Sequence, residues 1–393
     1  MRQTKSVLLN LVLLISMVIS VVFVKGSGQA YAAKPIKVGM ICSITGWAGF
    51  LGSPQRDAMI AVVENINKNG GVLGRQIEVY VEDDKSNPTN AVIAASKLIR
   101  DIKVSVLIGT TITDSGTAII PTVEKAKIPY LVITPVTSSF KKWAFLMGPG
   151  DVRQSARNLY LTINVLGAKK IALLHDTANY GMTAAKYLNK EIKKYPGASF
   201  VIQEKCEVTD TNMVPQLTKI KAANPDALII YTTGGPGSVI AKNYKQLGMK
   251  CEVVCSGAVA MPQFLQSSGA IAEEYQWKIV AMKIIVAESL PSNDPFRKNV
   301  YEPFKKVYQD KYGKDKQVNI FHVGAPDAMG ILVKALKTAG TDKPDAVRKA
   351  LERVKAEGLL GPIEFKPNDH QGSPEDTSVL AVLKKGRIVP YKK

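Results

Sequence analysis

From Ile36 onward the chain twice repeats one grammar: a short β-rich apolar run, a window with apolar residues at helical period, then another apolar run. Such alternation builds βαβ units. Parallel strands need a crossover, and the crossover helix must bury its apolar stripe on the sheet. In the first half Ile36 to Ile41 reads as a strand. Pro54 is expected to open a helix carrying Ala58, Val62, Val63 and Ile66 on one face, stopped at Asn69-Gly70-Gly71. Strand 77–81, helix 88–99, strand 104–108, helix 115–125 and strand 130–133 follow. The grammar restarts with strand 170–174, helix 181–192, strand 199–203, helix 214–222, strand 227–231, helix 237–247 and strand 252–254. Residues 296–357 read as mainly helical, and 378–389 again as strands. The expectation is an α/β fold of two interlaced, doubly wound parallel-sheet lobes. One lobe comprises 33–151 plus 282–365, the other 152–281 plus 366–393. Loops leaving the C-terminal ends of parallel strands form ligand sites, so two facing halves make a cleft.

The 393 residues leave room for both halves and a leader. Arg2 and Lys5 precede an apolar stretch from Val7 to Val24, and Ala30-Tyr31-Ala32 supplies a small-x-small site. This reads as a secretory signal peptide over 1–32, cleaved after Ala32. The competing reading is an uncleaved anchor, since 18 apolar residues approach the roughly 17–20 of a membrane span. No cysteine precedes Cys42, so release into the periplasm is expected rather than lipid anchoring.

The formal charge is +19, of which Arg2, Lys5 and Lys25 carry three, leaving +16 beyond residue 32. Its lysine pairs are scattered and not interleaved with aromatics, which argues against a nucleic-acid groove. Export permits disulfides, but Cys251 and Cys255 lie about 13 Å apart if extended, too far to bridge. A Cys206 to Cys251 bridge stays open. The chain has no Cys-x-x-Cys, and His175, His322 and His370 are isolated in sequence, so neither a metal nor a cofactor is expected.

Several residue groups resemble the type I periplasmic solute-binding proteins of ABC importers, specifically the leucine/isoleucine/valine-binding family. They are Ile36-Lys37-Val38-Gly39 with Thr45-Gly46, the turn Asn69-Gly70-Gly71-Val72-Leu73-Gly74-Arg75 beside Glu82-Asp83-Asp84, and Pro88. Ile108-Gly109, Thr134-Pro135, Asp151 with Gln154, Tyr180-Gly181 and Gly361-Pro362-Ile363 follow later. The resemblance spans nearly the whole chain after residue 32. It implies two lobes on a multi-strand hinge, closing around a small solute and presenting it to a membrane permease. It also implies a monomer without cofactor or turnover.

Gly109 to Gly116 leaves a strand and opens a helix, so free N–H groups and hydroxyls converge where the helix dipole favours an anion. The plainer reading is ordinary capping by Thr113 or Asp114. The resemblance implies a carboxylate-binding hydroxyl near Thr113 or Ser115, with Val136, Thr137 and Ser138 as further positions after the next strand. Ser138-Ser139-Phe140-Lys141 also fits Ser-x-x-Lys, but the companion motifs of that nucleophile are missing from the sequence. Trp47 and Phe50 are expected as pocket wall, and Tyr180 as the opposite lobe's aromatic. Where amino-acid binders carry an acid and a tyrosine for the α-ammonium end, this chain has Gly257, with Ala258 beside it, and Thr233. An ammonium would face Asp151 at most. Carboxylates lacking an α-amino group are therefore expected to bind at least as well as the matching amino acids.

Other classes fit less well. Gly-x-Ser-x-Gly and His-Glu-x-x-His, which would mark an exported hydrolase, do not occur in the sequence. A ligand sensor on the same fold is the remaining alternative.

Overall fold

In the computed structural model the described residues are 33–136, 142–148, 151–232, 235–259, 261–373 and 378–392, with only the backbone at 151, 152 and 262. They hold two parallel-rich sheets. The first is built from β1 (Ile36–Cys42), β2 (Ile77–Asp83), β3 (Val106–Gly109), β4 (Tyr130–Val132) and β5 (Ala144–Leu146), in the order β2-β1-β3-β4-β5 and parallel throughout. The second contains β6 (Lys170–Asp176), β7 (Ser199–Cys206), β8 (Ala227–Tyr231), β9 (Glu252–Ser256) and β10 (Lys278–Ala281). A hairpin, β11 (Lys355–Gly358) and β12 (Gly361–Glu364), stands apart. The late strands β13 (Val379–Lys384) and β14 (Arg387–Pro390) join the second sheet antiparallel, giving β14-β13-β10-β9-β8-β6-β7.

Helices cover both faces of each sheet. The first lobe uses α1 (Gly49–Lys68), α2 (Pro88–Lys97) and α3 (Thr113–Ala126). The second uses α4 (Asp151–Tyr160), α5 (Asn179–Glu191), α6 (Val214–Ala222), α7 (Gly235–Gln246) and α8 (Pro262–Glu274). Then α9 (Glu302–Tyr312), α10 (Gly324–Ala339) and α11 (Pro344–Leu351) pack back on the first sheet. One continuous core joins Val38, Met40 and Ile108 to Met329, Leu332, Leu336 and Ile363. Strands buried on both faces alternate between two cores: in β8, Leu228 and Ile230 enter one while Ala227, Ile229 and Tyr231 enter the other. The chain passes between sheets after β5, after β10 and between β12 and β13. At the last passage the Leu146 N–H donates to the His370 carbonyl at 2.9 Å, and the Gly372 N–H to the Leu146 carbonyl at 2.8 Å.

Two local motifs have physical reasons. Asn87 caps α2 by accepting from the N–H groups of Thr89 (2.9 Å) and Asn90 (3.2 Å), with Pro88 in the first turn. Gly71 sits at φ +72°, where a side chain would also collide with the Arg75 carbonyl.

The element reading needs three corrections. α1 begins at Gly49, so Pro54 lies inside it and Phe50 is helical rather than in a loop. The loop before α1 is pinned firmly enough to set the start: Asp83 accepts from the N–H groups of Ile44 (2.8 Å) and Thr45 (3.2 Å), and Asp84 from the Ser43 hydroxyl (2.6 Å). β5 is a fifth strand that three apolar residues did not announce. α3 starts at Thr113, two residues early, with Ile112 as its N-cap residue. All four cysteines are free thiols, so the Cys206 to Cys251 bridge is not formed.

Candidate functional site

A cleft between the lobes contains about 1090 Å³ of space, part of it open to solvent. The C-terminal ends of β3, β8, β9 and β10 all open onto it, as expected for facing parallel sheets. From the first lobe come Trp47, Leu51, Gln55 and the segment Thr111 to Asp114; from the second, Asn158, Tyr180, Tyr231, Ser256, Gly257 and Ala258.

The floor of the first lobe is a short relay. The Thr111 hydroxyl donates to Gln55 Oε1 at 2.7 Å and accepts the Ser43 N–H at 2.9 Å. At the start of this segment Gly109 has φ +154°, and a side chain there would strike the Ile41 carbonyl of the neighbouring strand. This close approach lets α3 begin directly over the cleft. Ile112 offers no side-chain cap to α3, so neither Thr113 nor Asp114 acts as N-cap. Thr113 is buried and lines the cleft, and two residues later the buried Ser115 hydroxyl has no hydrogen-bond partner among the described residues. An uncapped helix start beside hydroxyls is a fitting place for a carboxylate.

The opposing wall is aromatic. Tyr180 and Tyr231 pack with ring centroids 4.9 Å apart and their planes tilted by 41°. Gly257 is fully packed: an added Cβ would come within 2.5 Å of the Ala281 Cβ. No acidic side chain fits there without a shift. Among the described lining residues Asp114 is the one acid, and it lies beside the backbone N–H of Asn179 at the start of α5. Burial raises this carboxyl above the ordinary range, and the nearby backbone N–H groups offset part of the rise.

Of the residues expected from sequence, Trp47, Thr113, Tyr180, Gly257 and Ala258 line the cleft. Phe50 is exposed and its neighbour Leu51 is the lining residue, because successive helical residues point about 100° apart. The Val136 side chain is buried in the core between α3 and the first sheet. Ser115 lies beneath the lining. Thr137, Ser138 and Thr233 lie outside the described residues, and of Asp151 only the backbone, at the start of α4, is described. Sequence reasoning did not select Gln55, Asn158, Tyr231 or Ser256. Tyr231 and Ser256 end strands and could have been found by position; Gln55 and Asn158 sit within helices and carried no local signal.

The family described as periplasmic binding protein matches residues 35–387. A leucine-, isoleucine-, valine-, threonine- and alanine-binding protein of Pseudomonas aeruginosa is 25% identical over 349 residues, covering 86% of this chain and 88% of its own. A Leu/Ile/Val-binding protein homolog of Brucella melitensis is 24% identical, covering 90% of this chain and 94% of its own. The crystal structure of an extracellular ligand-binding receptor from Rhodopseudomonas palustris HaA2 superposes with a TM-score of 0.81 at 26% identity, over 91% of this chain and 99% of that one.

Proposed function

We propose, from the premise that this chain belongs to the periplasmic binding protein family, that it is the extracytoplasmic solute receptor of an ABC importer. It captures a small carboxylate with an apolar body between its two lobes and hands it to a membrane permease, without chemical turnover. Residues 1–32 act as the export signal, and the chain works as a monomer. The observation that carries the reading is the start of α3, uncapped and flanked by Thr113 and Ser115, opening into a cleft walled by Trp47, Leu51, Tyr180 and Tyr231. The α3 start and hydroxyls hold the carboxylate, and the aromatic wall takes the body.

The ligand needs no α-amino group. Gly257 leaves no place for an acid, and burial raises the Asp114 carboxyl, which disfavours its charged form. An ammonium stripped of water in a closed cleft costs several kcal/mol unless an acid receives it. The family likeness also favours a second reading, a branched-chain or other apolar amino acid, as the name of the Pseudomonas aeruginosa relative states for that protein.

Calorimetry with leucine, phenylalanine and their α-keto and des-amino analogues tests both. Analogues lacking the amino group are expected to bind at least as tightly, and Thr113→Val with Ser115→Ala to weaken all of them about tenfold or more. Binding of the α-amino forms alone, lost in Asp114→Asn or Asp151→Asn, would restore the amino-acid reading.

A further inference from the structure

The second-lobe wall carries polar groups that the carboxylate and the apolar body do not use. Asn158, on α4, is 1% exposed and lines the cleft, yet neither its amide nitrogen nor its carbonyl oxygen has a hydrogen-bond partner among the described residues. Ser256, the last residue of β9, is 3% exposed, lines the same cleft, and its hydroxyl is equally unpartnered.

Strand register places the two on one side of the sheet. In β9, Val253 and Cys255 enter the core beneath α6 to α8, whereas Val254 enters the core beneath α4 and α5. Alternation therefore turns Ser256 toward α4 and α5. Its neighbours there are Val280, its register partner in β10, and Tyr231 at the end of β8. Asn158 lines the same cleft from α4, whose next residue, Leu159, belongs to this core.

A buried amide with donor and acceptor both unused is costly unless something binds it, and buried polar groups are almost always satisfied. Both residues are neutral, so they suit a neutral group better than a charge.

We propose that Asn158 and Ser256 form a second polar subsite, which takes a neutral hydrogen-bonding group, a carboxamide or a hydroxyl, carried by the ligand away from its carboxylate. The inference rests on the cleft being the carboxylate-binding site proposed above, and it narrows the ligand to an acid with such a distal group. A site built to hydrogen-bond a ligand group discriminates strongly against the analogue lacking it, because its own polar atoms are then left unpaired.

The test is calorimetry with matched acids: 3-(4-hydroxyphenyl)propanoate against 3-phenylpropanoate, and 5-amino-5-oxopentanoate against pentanoate. In the unmodified protein the polar member of at least one pair is expected to bind tenfold or more tightly than its partner. Asn158→Leu should abolish or reverse that ratio and Ser256→Ala should reduce it, while affinity for the apolar member holds or rises. Thermal melting adds a readout free of ligand: Asn158→Leu, replacing unpaired buried polar atoms with carbon, should melt no lower than the parent. Apolar members favoured in both pairs, or ratios unchanged in both variants, would overturn the subsite and leave the carboxylate site standing. Failure of all four acids to bind would remove both.

Discussion

The carboxyl of Asp114, in the first turn of α3, lies close enough to the backbone N–H of Asn179, the first residue of α5, for that N–H to lower its pKa, so one lobe's side chain faces the other lobe's helix start. Sixty-five positions separate the two, and the proximity exists only while the lobes face each other closely.

This contact between lobes should help hold the cleft closed. Asp114→Ala is expected to raise the radius of gyration in small-angle scattering and weaken ligand binding several-fold, while saturating ligand lowers the radius of the unmodified protein. Asp114→Asn keeps a polar side chain of the same size beside Asn179 without the titration. Because burial raises this carboxyl in the closed form, the closed form holds the proton more tightly than the open one. Closure should therefore weaken as pH rises through the acidic range in the parent but not in Asp114→Asn. An identical scattering profile for parent and Asp114→Ala would remove the latch.

A second carboxyl sets a pH slope of stability. Desolvation pushes the half-buried Asp327 of α10 up to about 7, although it accepts the N–H groups of Leu359 (2.9 Å) and Leu360 (2.7 Å). The folded state binds this proton more tightly than the unfolded chain. Its contribution is thus complete below the ordinary carboxylate value near 3.8 and is lost as pH rises toward about 7. Melting temperatures of the parent minus those of Asp327→Asn should fall between pH 4 and 7; a flat difference would contradict the assignment.

Gly257 should tolerate no side chain cheaply. The Cβ of Gly257→Ala would meet the Ala281 Cβ at 2.5 Å and its Cα at 3.2 Å, next to the passage between lobes after β10. Overpacking of this kind costs about 1–3 kcal/mol. Denaturant unfolding should record that loss, and calorimetry a weaker ligand, since Gly257 lines the cleft. Unchanged stability would show that β10 yields readily.

The thiols should be free and slow. Burial pushes Cys42 and Cys206 up to about 12 and raises Cys251 and Cys255 as well. Iodoacetamide at pH 8 should label the native protein slowly and four thiols in denaturant without reductant, read by mass spectrometry. Two labelled thiols in denaturant would reveal a disulfide.

The alternation of apolar runs with helical windows determined the strand and helix order, because the periods 2 and 3.6 are local properties of the chain. Helix α6 and strand β8 fall where they are expected, and the family resemblance singled out Thr113, Tyr180 and Gly257, which line the cleft. Short or pinned elements escaped. β5 is three residues beside the returning segment 370–372, and α1 starts where Asp83 and Asp84 fix the preceding loop. Only the tertiary structure decided which face of α4 meets the cleft, that Ser256 shares a side with Tyr231, and that Asp114 reaches Asn179. Each depends on apposing segments far apart in sequence, and no local pattern of residues encodes which buried polar atoms such packing leaves facing one another.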